Sequence, residues 1–120
     1  MSCRWLTFLL PALLTACAPA EREDAQVWPA PASAPAWQDY ELAGVGGVGI
    51  RGATAETWLV LRCAARPERR LEREYWPGAD WAGGPEWGVD AVTYQPGRTH
   101  PQVRPFTFTL EEAQRLGCRH

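Results

Sequence analysis

Thr57–Cys63 (TWLVLRC) is the segment of this chain with the clearest secondary-structure signal. It is largely apolar and partly β-branched, which favours a strand. Turn residues such as Pro77-Gly78, Gly83-Gly84-Pro85 and Pro96-Gly97 separate further apolar runs, so the pattern predicts an antiparallel sheet. The additional strands are expected at residues 40–42, 48–51, 87–94 and 104–108.

Residues 66–76 are compatible with two structures. Pro67 could open a short helix with Leu71 and Tyr75 on one face, or the segment could be a strand that returns from Cys63, and we favour the strand. Near the C-terminus, Thr109 and Glu112 have the spacing of a helix capping box. The predicted fold class is therefore mainly β, with α+β as the alternative: a small antiparallel sheet or barrel, a short C-terminal helix and one disulfide.

The first seventeen residues resemble the signal peptide of a bacterial lipoprotein. Arg4 precedes a ten-residue apolar run at residues 5–14, which is too short to span a bilayer. Leu14-Thr15-Ala16-Cys17 has the pattern of a lipobox. The resemblance implies cleavage before Cys17, acylation of its sulfur, and stable anchoring by several acyl chains.

Ala18 follows the lipobox cysteine, and the resemblance implies delivery to the outer membrane when this residue is not Asp. The expected localisation is the periplasmic face of the outer membrane, with surface exposure left open. In the competing interpretation, Ala16-Cys17-Ala18 is an ordinary cleavage site that releases a soluble periplasmic protein.

Two cysteines remain once Cys3 leaves with the signal peptide and Cys17 is acylated. Cys63 and Cys118 would then lie in an oxidising compartment, where a disulfide between them is expected. The alternative is a reactive thiol or a pair of metal ligands.

The sequence predicts three segments. Residues 1–16 form the signal peptide, residues 17–37 the acylated cysteine and a tether rich in Pro and Ala, and residues 38–120 a small disulfide-linked β domain. The tether prediction depends on Pro29, Pro31 and Pro35, because such a composition favours an extended chain without a core.

Charge and motif content argue against several function classes. The formal net charge of the full chain is −2 at pH 7. Proteins that bind nucleic acid are usually basic, so nucleic acid is not an expected partner. Gly44, Gly46 and Gly49 match a dinucleotide-binding pattern, but no βαβ unit surrounds them, so no nucleotide is expected either. We expect no cofactor and no metal site, because His100 and His120 lack the ligand spacing of zinc sites.

Catalysis is not expected. The only serines are Ser2 and Ser33, outside the predicted domain, and the chain has no lysine. Asp80, Glu86 and Asp90 could supply paired carboxylates for glycoside hydrolysis, but such enzymes need a deep cleft that a small domain can hardly build.

Two clusters are candidates for a binding surface. Tyr75, Trp76, Trp81 and Trp87 lie in a segment rich in Gly and Pro and could offer flat apolar faces to a protein or a cell-wall glycan, although these rings could instead form the core. The second cluster is basic and could bind an anion, or it could pair with Glu68, Glu72 and Glu74. Its members are Arg62, Arg66, Arg69, Arg70 and Arg73.

The expected function is that of a membrane-anchored, periplasm-facing module that binds an envelope partner or supports envelope assembly. The alternative is an inhibitor or immunity protein against a cell-wall hydrolase. The chain resembles membrane-bound lysozyme inhibitors in outline, since it shares the lipobox, the short length, a compact β domain and a disulfide. The serine-bearing inhibitory motif of that family is missing, so no functional residue is carried over.

Overall fold

The structure, a computed structural model, describes residues 22–47, 56–75, 81–97 and 102–119. Within these ranges the chain is mainly β, as the sequence predicts: two antiparallel sheets are followed by one short α-helix. The elements are β1 (Arg22–Pro29), a 3-10 helix (Pro35–Trp37), β2 (Tyr40–Gly47), β3 (Thr57–Cys63), β4 (Arg70–Glu74), β5 (Gly84–Trp87), β6 (Ala91–Gln95), β7 (Phe106–Thr109) and α1 (Leu110–Gln114).

The first sheet has the strand order β1-β2-β3-β4, with every neighbouring pair antiparallel. β3 lies inside this sheet, and all of its residues except the partly exposed Trp58 are buried. Because both faces of β3 are covered, its apolar run does not alternate with polar residues. β4 confirms the strand favoured within residues 66–76, and a turn before it lets the Cys63 N–H donate to the Arg69 carbonyl at 3.1 Å.

The second sheet has the order β5-β6-β7 and corrects one prediction. Residues 87–94 were expected to form a single strand, but they contain the end of β5, a tight turn and most of β6. The chain reverses because Gly88 and Ala91 close the turn, with the Gly88 N–H donating to the Ala91 carbonyl at 2.8 Å. The strand predicted at residues 104–108 corresponds to β7, and that at 40–42 to the start of β2. The strand predicted at 48–51 lies outside the described residues.

The tether predicted at residues 17–37 is wrong for residues 22–37. β1 pairs with β2 from Arg22 to Pro29, and Trp37 has no exposed surface. Residues 22–37 contain few large aliphatic side chains, but backbone hydrogen bonds to β2 and the burial of aromatic rings stabilise them in the fold. Pro29 is accommodated because it ends an edge strand. Residues 17–21 lie outside the described part.

One core cluster joins the two sheets and the helix. Leu42, Leu59 and Leu61 contribute from the first sheet, and Tyr94 and Phe108 contribute from the second. All five side chains are essentially unexposed. The fold is therefore two small sheets that share one apolar layer, as in a β-sandwich.

The opposite face of the first sheet carries a second, smaller apolar cluster. Ala43, Val45 and Val60 form its buried centre. The Arg22 guanidinium lies 4.7 Å from the centre of the Trp58 ring beside it and also pairs with Glu72 at 2.8 Å. Long charged side chains thus cover apolar residues on this face.

The C-terminal segment follows the predicted pattern. Thr109 and Glu112 form the capping box, with the Glu112 N–H donating to Thr109 Oγ1 at 3.1 Å and the Thr109 N–H donating to Glu112 Oε2 at 2.9 Å. Gly117 follows with φ of 67° in the left-handed region, as expected of a residue that ends a helix. This turn brings Cys118 to Cys63, and the two form the predicted disulfide, with Cα atoms 5.3 Å apart.

Candidate binding surface

The aromatic residues predicted as a binding surface belong largely to the core. Tyr75 is only 2% exposed, so its assignment to the surface is wrong. Its ring is stacked on Trp81, with centroids 4.1 Å apart, and it also contacts Phe106. Trp81 and Trp87 pack partly buried against the core, and Trp76 lies outside the described residues. The core interpretation holds for Tyr75, because this domain has few other large apolar side chains.

Trp81 also explains a glycine in β2. Its indole lies over the backbone of Gly44, where a Cβ atom would come within 2.6 Å of the ring. At Gly46, two residues further along the strand, a Cβ atom would meet nothing closer than Thr57 at 3.9 Å. Gly44, one of the glycines in the dinucleotide-like pattern, therefore allows the Trp81 ring to pack against the backbone of β2. Gly49 of that pattern lies outside the described residues.

We expect Gly44→Ala to lower the free energy of unfolding by about 2 kcal/mol, because the added methyl group must displace Trp81 or the strand. Urea unfolding of the purified protein, followed by tryptophan fluorescence, measures the change. Gly46→Ala is the matched control, and its effect should stay within about 0.5 kcal/mol. Equal losses in the two variants would show that Trp81 does not restrict position 44.

The basic cluster is occupied by contacts within the domain. Arg62 donates to Asp24 at 2.7 and 3.0 Å and to Glu41 at 2.7 Å, and only 7% of its side chain is exposed. Of the three glutamates predicted as partners, Glu72 lies 3.8 Å from Arg70. Further contacts are Arg69 with the Gly117 carbonyl, Arg70 with the Pro67 carbonyl, and Arg73 with Glu112 and the face of Phe108. These guanidiniums hold strands and helix together.

Two carboxyl groups in these networks have depressed pKa values. Hydrogen bonds from Arg62 lower the pKa of Asp24, with burial acting in the opposite direction. The Thr109 backbone N–H, and more weakly Arg73, lower the pKa of Glu112. Both groups therefore stabilise the fold as carboxylates, and this contribution is lost as the pH falls below their unfolded values of about 4.

The two ends of the sandwich differ in content. At one end, called the Arg22 end, β1 begins beside the last residue of β2, since Arg22 pairs with Gly47. The other end, called the Val89 end, comprises residues 33–40, 87–90 and 110–119. The Trp37 indole N–H ties this end together by donating to the Gly88 carbonyl at 2.8 Å. At about 3.3 Å per residue, β1 separates the two ends by roughly 25 Å.

Val89 is the exposed large apolar residue of the described chain, at 90%. It occupies the tip of the turn between β5 and β6, and both flanking carbonyls are held in place. The Gly88 carbonyl accepts from Trp37, and the Asp90 carbonyl accepts from the Leu110 N–H at 2.8 Å. The valine therefore projects from a rigid turn rather than from a loose loop.

Three clefts open at the Val89 end. One of about 240 Å³ lies between Pro35 and Trp87 and includes Val89. A second, of about 630 Å³, lies between Asp90 and Glu111, and a third, of about 400 Å³, adjoins Asp39, Tyr40 and Cys118. Burial, and secondarily Asp39, raises the pKa of Tyr40, which keeps its hydroxyl neutral.

These clefts offer surfaces for binding. Their described lining residues include no histidine and no free thiol. Glu86 and Asp90, considered above as paired carboxylates, are both exposed, and Asp80 lies outside the described ranges. In the part of the chain that the structure describes, no group of three or more His, Cys, Asp or Glu residues is placed to hold a metal ion. No helix in that part is long and apolar enough to cross a bilayer.

Comparison with known proteins does not assign this chain to a family. No family model, no curated protein and no solved structure matches it.

The Val89 turn and the buried Trp37 were not found from the sequence. Gly88 and Asp90 are typical turn residues and were the available signal, but the apolar residues around them suggested a continuous strand. Trp37 was assigned to the tether because prolines precede it. The contacts of Trp37 with Gly88 and of Leu110 with Asp90 identify this end as one unit.

Proposed function

We propose that this protein is a lipid-anchored binding module of the bacterial envelope, held by acylated Cys17 at the periplasmic face of the outer membrane. The lipobox at residues 14–17 supports the anchor. The pairing of Cys63 with Cys118 supports export, because disulfides persist mainly outside the cytoplasm. The partner is an envelope protein rather than a nucleic acid or a nucleotide.

The observation that carries this proposal is the position of β1. It begins at Arg22, only five residues after Cys17, and its first residue lies at the end opposite the clefts. Five residues reach at most about 17 Å. With Cys17 in the membrane, the Arg22 end faces the lipid and the Val89 end points into the periplasm. The shortness of the spacer supports the proposal that the Val89 end is the surface available to a partner.

Metabolic labelling with radioactive palmitate tests the anchor. The full chain should incorporate label and sediment with outer-membrane vesicles in a sucrose gradient. Cys17→Ser should abolish the labelling, whereas Cys3→Ser, which alters a cysteine within the predicted signal peptide, should retain it. An unlabelled wild-type protein, or a full-length product in the cytosol, would refute the proposal.

A second candidate function is inhibition of a cell-wall hydrolase. The observation that favours it is the rigid turn that projects Val89, since a preorganised protrusion can enter an enzyme cleft at low entropic cost. The mature lipoprotein in detergent micelles, added in excess to a muramidase or an amidase acting on peptidoglycan, distinguishes the candidates. Slowed turnover supports inhibition, and unchanged turnover of both enzymes leaves the binding module.

A further inference from the structure

We propose that Val89 and Trp87 form the contact point for a periplasmic protein that presents an apolar pocket ringed by basic side chains. This inference rests on the proposed function, because the anchor determines which end of the molecule faces a partner. It adds the residues that bind and the chemistry of the surface they recognise.

The first argument is shape. Trp87 and Val89 are two residues apart and line the same cleft, beside Pro35. Trp87 is partly buried, with its ring 5.7 Å from that of Trp37, whereas Val89 is almost fully exposed. A supported aromatic ring next to a projecting aliphatic side chain matches the centre of many protein interfaces, where apolar anchors fill pockets of the partner.

The second argument is rigidity. Gly88, between the two apolar residues, has its N–H bonded to the Ala91 carbonyl and its carbonyl bonded to Trp37. Asp90 is held through its carbonyl by Leu110 at the start of α1. Such a turn loses little conformational freedom on binding, which improves affinity for a given contact area.

The third argument is charge, and it selects the partner. The hairpin formed by residues 84–95 carries Glu86 and Asp90 and contains no basic residue. Glu86 and Asp90 are both exposed. Glu111, at the start of α1, lines the cleft beside Asp90 and is paired with Arg115 at 2.8 Å. An apolar tip with an acidic border is complementary to an apolar pocket with a basic rim.

The position of the tip argues against a lipid occupant. Val89 lies at the end opposite Arg22, and the length of β1 separates the two ends by roughly 25 Å. The acidic border would also be repelled by anionic headgroups. A protein in the periplasmic layer is the occupant that satisfies both the location and the charge.

Photo-crosslinking in living cells tests this inference with the full chain. A benzoylphenylalanine placed at exposed Ala36, which lines the cleft beside Val89, should form one protein adduct after ultraviolet irradiation. Mass spectrometry should map that adduct to a partner peptide next to Lys or Arg residues. Val89→Asp should reduce the adduct at least tenfold, and Asp90→Arg should reduce it by a comparable factor.

Thr107→Asp is the matched control, because Thr107 is exposed on β7 and lies on the outer face of the same sheet, opposite Thr93. Its adduct should be unchanged. Retention of the adduct in Val89→Asp, an equal loss in Thr107→Asp, adducts to lipid or glycan, or no adduct at all would overturn the inference. Palmitate labelling of the same samples separates the two proposals. If the protein is labelled but the adduct persists in Val89→Asp, only this inference is refuted. If the protein is unlabelled, the anchor is refuted.

Discussion

Replacing both Cys63 and Cys118 by alanine is expected to lower the free energy of unfolding by about 4 kcal/mol, which is the value for a closed loop of about this length in the chain-entropy model. The bridge joins residues that are 55 positions apart and ties the end of β3 to the turn after α1. Because a small domain buries a limited core, this loss is a large share of its stability. Urea unfolding of the purified protein measures this loss.

A reducing agent supplies the control for this prediction. It should destabilise the wild-type protein and leave the double alanine variant unchanged, since the variant has no bridge to lose. Thiol titration should first show that the reducing agent breaks the disulfide. If the free energy of unfolding of the wild-type protein then stays unchanged, the expected contribution of the bridge is contradicted.

The second large effect is expected at Arg62, where Arg62→Ala should cost about 3 kcal/mol. The guanidinium is buried, and it connects Asp24 of β1 with Glu41 of β2 from its own position on β3. Its removal leaves two carboxylates without the guanidinium that they share, and breaking a buried pair in this way typically costs about 3–5 kcal/mol. Because Asp24 is 44% exposed on its side chain, water reduces the penalty, and we expect the low end of that range.

Arg70→Ala is the matched control, because Arg70 lies directly opposite Arg62 in the sheet and makes a longer ion pair at 3.8 Å. Arg70→Ala should lower the free energy of unfolding by about 1 kcal/mol or less.

The pH dependence of stability provides a second check. The pKa of Asp24 is lowered by Arg62, so the stabilisation is present above the unfolded value and declines as the pH falls through the folded one. The difference between wild type and Arg62→Ala should therefore narrow below about pH 4. A constant difference down to pH 2 would exclude Asp24 as the main partner.

Features with a local cause were predicted correctly. The capping box of Thr109 and Glu112 depends only on a spacing of three residues. Gly117 follows the helix because glycine readily adopts the positive φ required there. β3 was recognised because its apolar, partly β-branched run satisfies strand propensity without outside information. The pairing of Cys63 with Cys118 followed from elimination, once two other cysteines were assigned to processing.

Errors occurred where distant residues overrule the local pattern. Residues 22–37 read as a tether because their prolines disfavour regular structure, but β2 supplies hydrogen bonds and the core accepts Trp37. The same cause applies to Tyr75, whose polar loop surroundings suggested exposure although Trp81 stacks on it. The Val89 turn was hidden because its flanking residues have strand propensity.

The amino-acid order was sufficient for the mainly β class, the helix cap, the disulfide pair and the expectation of an exported, acylated chain, because each depends on neighbouring residues or on residue inventory. Which aromatic rings are buried, that residues 22–29 form a strand, and which end carries the clefts depended on two sheets coming together. Those properties arise from contacts between residues some fifty positions apart, such as the Trp37 indole with the Gly88 carbonyl. No pattern within either segment encodes that contact, which helps to hold the turn from which Val89 projects.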